Sequence, residues 1–588
     1  MNAVPRASRL WLRALEAVSS IERGTELTFG GVLNDLADQY GAAPALIDDE
    51  KTLTYDALAR LANLYSGWAR REGFASGAVI ALLMHNCADY IAIWAGLSQA
   101  GYIVALINTN LTHTALSHAV RASGAKAMIA ATTLQENAAS LAAECPELLM
   151  WRHGAGEGVW PRVEHALTES DDPKRPHAPI TNDRTALLIY TSGTTGMPKA
   201  AKVSHARILQ WSYWFAGLMD TQPGDRLYNC LPMYHSTGGV SSIGAVLVRG
   251  GSVYIRRRFS AHRFWPEIVE SGSTIFQYIG ELCRYLLQAP SQPLETKHQL
   301  RLCCGNGLHE KVWRRFEERF RIPRIMEFYA MTEGAVSLYN CEGRPGAIGH
   351  IPGFLAHRFT MVLARCDTET GMLVRDEAGR GMVCAAGETG EALGRLDTKS
   401  TSPARHFEGY TDTASSEAKL ARDVFTTGDL WYRTGDLMRR DADGFYYFVD
   451  RLGDAFRWKG ENISASEVAA IISGHPGITD AVVFGVHIPG QEGRAGMAAI
   501  AVEANFNLAA LRQHIYKNLP SYARPVFIRL CPSIQRTSTF KLAAGTLAAD
   551  GYSNAPLEQL LYDDRVLQDY TACTPATLTE IASGTRPV

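Results

Sequence analysis

The most constraining stretch of this sequence is a short apolar run that leads directly into a loop of glycine and hydroxyl residues. Residues 186–189 have the length and apolar character of a buried strand. Residues 191–196 contain two glycines and four hydroxyl side chains, a composition that favours a turn or loop. Such a loop exposes N–H and hydroxyl donors, and Lys199 follows it. We therefore weigh a phosphate-binding loop against an ordinary surface turn.

This loop departs from the P-loop of kinases and GTPases. That motif requires a second glycine five residues after the first, followed by Lys and then by Ser or Thr. Counting from Gly193, the second glycine position holds Pro198, and Ala200 stands where the magnesium-binding hydroxyl is needed. The sequence therefore disfavours a P-loop enzyme, and other parts of the chain must decide how the loop is used.

Length and composition indicate a multidomain globular protein. The 588 residues, 46% of them hydrophobic and 20% charged, predict two or three domains with large cores. The net charge of −2 predicts no general attraction to nucleic acid. The eleven cysteines include no C-x-x-C pair, which favours free thiols in a reducing cytoplasm over disulfides or a zinc site.

The N-terminal region leaves two interpretations open. No apolar run reaches the about 18 residues that a membrane span needs, and no signal-peptide core is present. Residues 8–22 are amphipathic, with Trp11, Leu15, Val18 and Ile21 on one face. The simpler interpretation is a helix docked on the protein body. The alternative is a peripheral contact with the inner face of a membrane.

Strand and helix patterns predict an α/β fold with a large N-terminal domain. From residue 27 onward, short apolar runs alternate with helical periods, the rhythm of mainly parallel sheets covered by helices. From about 345 to 450 the helical periods disappear, which predicts a β-rich subdomain. We therefore predict a domain at 1–450, a hinge at 450–454 and a small, mobile α/β domain at 455–588.

Four predicted strands of the large domain end in polar or glycine-rich loops, at residues 191–199, 233–239, 305–307 and 330–334. In open parallel sheets, ligands bind at the carboxyl ends of the strands. One such loop says little, but four at successive strand ends indicate a composite site large enough for a nucleotide.

Several of these segments resemble motifs of the adenylate-forming enzymes, which include acyl-CoA synthetases, luciferases and peptide-synthetase adenylation domains. Residues 190–199 (YTSGTTGMPK) resemble the signature loop, 329–334 (YAMTEG) the second motif and 432–436 (YRTGD) the third. Further segments are similar to the branch of fatty-acid transport proteins and very-long-chain acyl-CoA synthetases: 231–239, 305–308, 450–464 and 539–541. The resemblance covers about residues 27–570.

The resemblance implies a two-step ligase that uses ATP, Mg²⁺, a fatty acid and coenzyme A and that forms an acyl-adenylate. It assigns the β- and γ-phosphates to Thr191, Ser192, Gly193, Thr194, Thr195 and Gly196. Lys199 is then a nearby charge, or alternatively a solvated surface lysine. Thr332 would contact the α-phosphate, and Glu333 would hold Mg²⁺, because this hard cation prefers carboxylate oxygen.

The same resemblance assigns the nucleoside and the acyl chain. Gly305, Asn306 and Gly307 would flank adenine, and Tyr329 would stack on it or simply pack in the core. Asp436 would accept from both ribose hydroxyls beside Arg451. His235 would edge the acyl pocket, and the apolar stretch 240–248 is either a wall of an acyl channel or core packing.

Three further residues are assigned to the C-terminal part of the chain. Lys541 would stabilise the charge that develops between the carboxylate and the α-phosphate during adenylation. Gly453 stands at the family's pivot position, where glycine permits a wide change of φ and ψ. Gly460 would leave room for the pantetheine of coenzyme A.

Other functions stay open at this point. An acyl-AMP ligase could pass its acyl group to a carrier-protein pantetheine, and the acid could be a sterol side chain or another carboxylic acid. A protein that only binds fatty acids is disfavoured, because binding alone needs none of Lys541, Glu333, Asp436 and the glycine and hydroxyl loop.

Overall fold

The computed structural model describes residues 6–588 apart from 169–178, 193–197, 335, 369, 398, 460, 492, 505, 537–543 and 587. The chain divides into two compact units, each built from two separate stretches. Unit 1 runs to Thr360 and resumes at Arg395–Leu420. Unit 2 comprises Met361–Gly394 and Ala421–Val588.

Unit 1 contains two mainly parallel sheets and the helices that cover them. The helices described are α1 (Arg6–Ala17), α2 (Phe29–Tyr40), α3 (Tyr55–Arg71), α4 (Ala88–Gln99), α5 (His113–Ser123), α6 (Gln135–Ala138), α7 (Leu141–Glu144), α8 (Val163–Ala166), α9 (His205–Met219), α10 (Ser242–Leu247), α11 (Phe264–Ser271), α12 (Gly280–Gln288), α13 (Glu310–Phe320) and α14 (Thr413–Glu417). The strands described are β1 (Pro44–Ile47), β2 (Thr52–Thr54), β3 (Val79–Leu83), β4 (Ile103–Leu106), β5 (Ala127–Ala131), β6 (Leu149–His153), β7 (Thr185–Ser192), β8 (Pro198–Ser204), β9 (Arg226–Asn229), β10 (Ser252–Ile255), β11 (Ile275–Ile279), β12 (Leu302–Asn306), β13 (Ile325–Ala330), β14 (Ser337–Asn340) and β15 (Gly349–His350).

The order of the strands confirms the predicted α/β class. One sheet has the order β14-β13-β12-β11-β9-β10-β1-β2, and the other has the order β6-β5-β3-β4-β7-β8. Neighbouring strands are parallel except for the outer pairs β1–β2, β13–β14 and β7–β8. Helix α4 is buried along its whole length, because it is apolar on every side and belongs to the central core.

Helix α1 uses its apolar face inside the protein. The Trp11 side chain is fully buried and makes edge-to-face contacts with Trp214, Tyr339 and Phe359. A Cβ atom on Gly217 of α9 would lie 2.4 Å from the Cα of Ala14, so the two helices approach closely at a glycine. The structure thus has the docked arrangement, and a membrane contact through residues 8–22 would require this helix to leave the core.

Unit 2 contains a β-rich part and a C-terminal α/β part. Its strands and helices, with β18 at the boundary between units, are β16 (Met361–Ala364), β17 (Thr389–Arg395), β18 (Leu420–Arg422), β19 (Leu430–Arg440), β20 (Phe445–Arg451), β21 (Phe456–Trp458), β22 (Glu461–Ile463), β23 (Ile478–Val486), β24 (Ala495–Val502), β25 (Phe527–Cys531), β26 (Leu560–Asp564), β27 (Asp569–Ala572), α15 (Ala465–Ser473), α16 (Leu508–Asn518), α17 (Gly545–Asp550) and α18 (Pro575–Ala582). The β-rich sheet has the order β20-β19-β17-β16, and the second sheet runs β23-β24-β25-β26-β27.

The grouping in unit 2 differs from the predicted one, in which 1–450 form one domain. Two separate cores lie within this unit, one around Leu393 and Trp431 and the other spanning Phe456 to Ile581. The two parts are joined near the predicted hinge, because the buried Asp450 carboxylate at the end of β20 accepts from the Ser464 hydroxyl and the Ser466 N–H at the start of α15. Burial raises the pKa of Asp450 above its usual value.

Two further features concern the cysteines and the lengths of the apolar helices. All eleven cysteines carry free thiols. Within the part of the chain that the structure describes, no helix is both long and apolar enough to span a membrane.

Candidate active site

The predicted loops of the larger sheet come together at one edge. Strands β9, β11, β12 and β13 run parallel to one another, so their carboxyl ends share an edge. Residues 231–239, Gly307 and residues 331–334 follow β9, β12 and β13 at that edge. This is where ligands bind in open parallel sheets.

Glu333 lies at this edge, three residues beyond the end of β13. Its side chain is 4% exposed. The Oε1 atom accepts a hydrogen bond of 2.5 Å from the Tyr410 hydroxyl, and the Thr191 hydroxyl lies 3.3 Å from the same oxygen. Two hydroxyl groups from distant parts of the chain therefore orient one buried carboxylate.

Tyr410 reaches this position because its own backbone extends the hairpin of β7 and β8. The Thr411 N–H donates to the Ala200 carbonyl, and the Lys202 N–H donates to the Gly409 carbonyl, each at 2.9 Å. Sequence reasoning missed Tyr410. A pairing between segments about 200 residues apart leaves no local pattern that could have indicated it.

The hairpin also corrects part of the prediction for the glycine and hydroxyl loop. Thr191 and Ser192 are not loop residues but the last two residues of β7, and they pair with Lys199 and Pro198 at the start of β8. The strand pairing continues to these residues because two adjacent extended segments can form hydrogen bonds between their backbone N–H and C=O groups. Gly193, Thr194, Thr195 and Gly196 lie outside the described residues.

Lys199 is half-buried at the start of β8. It lies near Asp412, whose carboxylate caps α14. Hydrogen bonds from Ser415 and Ala414 hold the pKa of Asp412 below its usual value, and the positive charge of Lys199 adds to this effect. Lys199 thus lies within the hairpin, opposite Thr191, and its role toward phosphate stays a prediction.

Thr332 is connected to the loop that carries His235. The Thr332 hydroxyl lies 3.1 Å from the Ser236 hydroxyl. Ser236 was not among the predicted site residues. The chain then forms a π-helical turn, Thr237–Ser241, and such turns are frequent at functional sites. Gly239 permits the turn, because a Cβ there would lie 1.7 Å from the Met233 carbonyl oxygen.

Gly334 is required by a buried arginine. It has a φ of +62°, and a Cβ atom there would collide with the Arg207 guanidinium. Arg207 is 2% exposed and lies 3.4 Å from Glu408 in an ion pair. Glu408 also accepts from the N–H and hydroxyl of Ser204, each at 2.6 Å. This network fixes the segment that carries Glu333 against the start of α9.

The predicted adenine segment has a different physical reason for its glycines. Gly305 and Asn306 are the last residues of β12. A Cβ on Gly305 would lie 2.1 Å from the Tyr278 carbonyl oxygen, so this glycine is needed for strand packing. Gly307 has a φ of +77°, which favours glycine. Contact of Gly305, Asn306 and Gly307 with adenine stays a prediction.

Glu327 supports that segment from within the sheet. Its carboxyl group accepts from the Leu308 N–H at 3.0 Å and from the Tyr278 hydroxyl at 2.5 Å. Burial raises the pKa of Glu327 to about 8. Tyr329 follows on the same strand and is half-buried. Stacking of Tyr329 on adenine stays a prediction.

The predicted channel helix belongs to the core. Residues 240–248 include the end of the π-helical turn and α10, and their apolar side chains are buried in the main hydrophobic cluster. Of the two interpretations given for this stretch, the structure has core packing.

In unit 2, the predicted ribose-binding pair lies on adjacent strands. Asp436 on β19 faces Arg451 on β20, and the Arg451 Nε lies 3.6 Å from the Asp436 Oδ1. Gly453 has a φ of +104°, and a Cβ atom at this position would have no other atom within 4 Å. Glycine is therefore favoured here by its backbone conformation and not by a lack of space for a side chain. Lys541 and Gly460 lie outside the described residues.

The described residues can hold Mg²⁺ only together with oxygen atoms of a bound substrate. Among them, no cluster of three or more His, Cys, Asp or Glu side chains could hold a metal ion. Glu333 supplies one buried carboxylate beside the Thr191 hydroxyl, both hard oxygen donors. Mg²⁺ is commonly held by one or two carboxylates together with phosphate oxygens and water. The donor set therefore fits a phosphate-bound Mg²⁺.

Comparison with known proteins gives concordant results. The profile of the family described as "AMP-binding enzyme" matches residues 33–392, and that of "AMP-binding enzyme C-terminal domain" matches residues 467–541. Human "Long-chain fatty acid transport protein 1" is 37% identical over 541 residues, which cover 90% of this chain and 83% of the relative. "Medium/long-chain-fatty-acid--CoA ligase FadD6" of Mycobacterium tuberculosis is 35% identical and covers 96% and 92%.

Solved structures share the fold at lower sequence identity. The anthranilate CoA ligase AuaEII in complex with anthranoyl-AMP superposes with a TM-score of 0.75 at 20% identity, covering 91% of this chain and 100% of that one. ATP-bound MatB from Rhodopseudomonas palustris gives a TM-score of 0.74 at 20% identity, covering 89% and 99%. These similarities establish the common fold.

Proposed function

Because the chain belongs to the adenylate-forming AMP-binding enzymes and is an acid–thiol ligase, we propose that it converts a medium- or long-chain fatty acid into its coenzyme A thioester in two steps. The observation that carries this proposal is the buried Glu333 carboxylate, which the Thr191 and Tyr410 hydroxyls orient at the carboxyl edge of a parallel sheet. A protein that only stores or carries fatty acids does not need this arrangement.

In the first step the carboxylate of the acid attacks the α-phosphorus of ATP and pyrophosphate leaves. Both reactants are anionic, so donors and cations must offset the repulsion. Glu333 would hold Mg²⁺ against the phosphates, and the Thr332 hydroxyl would donate to the α-phosphate. Lys199 and Lys541 would add positive charge, and residues 191–196 would donate to the β- and γ-phosphates.

In the second step the thiol of coenzyme A attacks the acyl carbon and AMP leaves. Asp436 and Arg451 would hold the ribose through both steps, because their adjacent strands keep the carboxylate and guanidinium together. The attack of the carboxylate and the attack of the thiol need different side chains near the bond between the acid and the α-phosphate. Rotation of residues 455–588 about Gly453 would exchange these side chains. Gly460 would then border the pantetheine.

The proposed acid follows from the relatives, not from a described cavity. Both relatives carry long-chain fatty acids in their names, and the aligned regions cover most of each chain. We assign the binding of the fatty acid to the loop of His235 and Ser236, because the Ser236 hydroxyl contacts Thr332 beside Glu333.

One assay separates this function from the alternatives. The purified protein is incubated with ATP, Mg²⁺ and acids of increasing chain length, a sterol-side-chain acid included, and AMP release is measured with free coenzyme A or a holo-carrier protein. We expect the highest rates with medium- or long-chain acids and free coenzyme A. Acyl transfer only to the carrier would identify an acyl-AMP ligase instead.

Lys541 provides a direct test of the two-step scheme. The Lys541→Ala variant should lose acyl-adenylate formation by about 10² or more, because it lacks a cation at the developing charge. Its conversion of a supplied acyl-adenylate to the thioester should stay near wild type. Equal loss of both half-reactions would refute this role, and Lys541→Arg serves as the charge-retaining control.

A further inference from the structure

One asparagine of the smaller sheet reaches the candidate active site on the larger sheet. Asn86 follows the carboxyl end of β3 by three residues. Its side-chain Nδ2 donates to the carbonyl oxygen of Leu231 at 2.8 Å and to that of Arg256 at 3.0 Å. Leu231 and Arg256 lie just beyond β9 and β10, which are parallel neighbours in the larger sheet. This one side chain therefore joins the ends of two strands of one sheet to a strand end of the other.

The same side chain also holds the start of the loop that carries His235. The Met233 N–H donates to the Asn86 Oδ1 at 2.9 Å. Asparagine suits these three contacts, because its amide offers two donors and an acceptor on one short side chain. An aspartate would place an oxygen atom against two carbonyl oxygens, and an alanine would remove the partner of all three backbone groups. The contacts at this position therefore require an amide side chain.

The loop is packed closely enough to transmit a shift of its first residues. A Cβ atom on Gly238 would lie 2.5 Å from the Pro232 carbonyl oxygen. A Cβ atom on Gly239 would lie 1.7 Å from the Met233 carbonyl oxygen. The first and last residues of the loop are thus in close contact, and a displacement of Met233 would also displace the residues between them.

We propose that Asn86 is a positioning residue for this loop and, through the loop, for the fatty acid. The middle of the loop contains Ser236, whose hydroxyl lies 3.1 Å from that of Thr332, next to Glu333. Asn86 contacts the backbone of the loop, so it acts on the fatty acid through the position of the loop. The inference rests on the proposed function, which assigns the binding of the fatty acid to this loop.

The segments assigned to ATP are held by other contacts. Residues 305–307 lie at the end of β12, whose neighbours in the sheet are β11 and β13. The Glu333 carboxylate is oriented by the hydroxyls of Thr191 and Tyr410. Asn86 instead joins β9 and β10. Its replacement should therefore change the use of the fatty acid and leave the affinity for MgATP as it is.

The kinetics of fatty-acid-dependent pyrophosphate exchange separate this role from a general loss of folded protein. In Asn86→Ala, kcat/KM for the fatty acid should fall about tenfold or more through a higher KM, because a shift of about 1 Å can cost about a hundredfold. KM for MgATP should change by less than about twofold. A smaller folded fraction alone would lower kcat and leave both KM values as in wild type. Asn86→Asp keeps the size of the side chain and loses both donors, so it should show the same pattern.

Asn63→Ala is the matched control. Asn63 is a buried asparagine on α3 whose amide also donates and accepts. It donates to Asn34 on α2 at 3.0 Å and accepts from Gln99 on α4 at 2.7 Å. Its replacement breaks contacts between helices, so it should lower the melting temperature and leave the KM values for the fatty acid and for MgATP unchanged.

Hydrogen–deuterium exchange of the free protein tests the position of the loop without any reaction. Peptides that cover residues 231–239 should exchange about tenfold faster or more in Asn86→Ala, because the Met233 N–H loses its acceptor and the loop its anchor. Asn63→Ala should leave the exchange of these peptides unchanged. The proposal is overturned if these peptides exchange in Asn86→Ala as in wild type, or if the KM for the fatty acid is unchanged in both Asn86 variants.

Failure of the proposed function would be recognised separately. Wild type would then show no pyrophosphate exchange with any fatty acid. Faster hydrogen exchange of residues 231–239 in Asn86→Ala would in that case still support the positioning of the loop by Asn86, and unchanged hydrogen exchange would overturn it.

Discussion

Two buried glutamates on one segment show how differently the same side chain can be used. Glu327 lies within β13 and is 2% exposed, whereas Glu333 lies beyond the end of β13 and is 4% exposed. Glu327 accepts from the Tyr278 hydroxyl on β11 and from the Leu308 N–H just after β12. Glu333 is contacted by Thr191 and Tyr410, which come from other parts of unit 1.

The difference teaches that burial alone does not mark a reactive carboxylate. Burial raises the pKa of Glu327 to about 8, so near neutral pH this group is held as a neutral acid inside the sheet. Glu333 stands at the ligand-binding edge, and its partners are hydroxyl groups that leave the carboxylate able to bind a cation. We therefore expect Glu327 to serve stability and Glu333 to serve catalysis.

The largest expected effect is that of Glu333→Gln. The amide lacks the negative charge that would hold Mg²⁺ against the phosphates, so acid-dependent AMP formation should fall by about 10² or more. The melting temperature should change little, because the amide oxygen can still accept from Thr191 and Tyr410. Glu327→Gln is the matched control and should retain most of the rate. Similar losses in both variants would remove the distinction.

The second prediction concerns the pH dependence of stability. The pKa of Glu327 is raised in the folded state to about 8. Its stabilising contribution is therefore fully present below the unfolded pKa of about 4.3 and is lost as pH rises through the folded pKa. Each pH unit within this window lowers the free energy of unfolding by about 1.4 kcal/mol. Glu327→Gln cannot ionise, so its unfolding should lose this dependence.

Thermal unfolding at pH 5, 7 and 9 measures this effect. Wild type should lose on the order of 5 °C more than Glu327→Gln between pH 5 and pH 9. Glu333→Gln, measured over the same range, should follow wild type, because it leaves Glu327 in place. Parallel curves for wild type and Glu327→Gln would show that Glu327 is not the titrating group.

A smaller effect is expected for Tyr410→Phe. This change removes one hydroxyl donor from Glu333 and keeps the ring, so the rate at low MgATP should fall about tenfold through a higher KM. Tyr570→Phe removes a different buried hydroxyl, which donates to the Pro525 carbonyl in unit 2, and should leave KM unchanged. An unchanged KM for MgATP in Tyr410→Phe would show that Glu333 does not need a second hydrogen-bond donor.

The smallest effect on adenylation is expected at the proposed hinge. Gly453 has a φ of +104°, which proline cannot adopt. Gly453→Pro should slow thioester formation severalfold and leave adenylation within about twofold, because only the second step needs the rotated arrangement. Single-turnover measurements of each half-reaction make this comparison. Unaffected turnover would remove the hinge from the mechanism.

Much of the candidate site follows from local sequence patterns. Alternating strand and helix periods predict parallel sheets, and polar residues after β9, β12 and β13 then fall at one edge by geometry alone. Motif resemblance adds the chemical roles, including that of Glu333. These signals are local, since each depends on a few consecutive residues.

The partners of these residues could not be predicted in the same way. Tyr410, Arg207 and Glu408 act through contacts between distant segments, and none belongs to a periodic or motif pattern. The sequence analysis explains Gly305 by the approach of adenine, whereas the structure explains it by close packing on Tyr278. The helix α1 shows the same limit, because an amphipathic pattern defines an apolar face without saying what covers it.

Fatty-acid-dependent exchange of labelled pyrophosphate into ATP tests the central claim most directly, because it reports adenylation without coenzyme A. With Mg²⁺ present, wild type should exchange label in the presence of a medium- or long-chain fatty acid and not in its absence. Glu333→Gln should lose this exchange, while Glu327→Gln should keep most of it. The account would be contradicted if wild type showed no exchange with any acid, or if Glu333→Gln exchanged as fast as wild type.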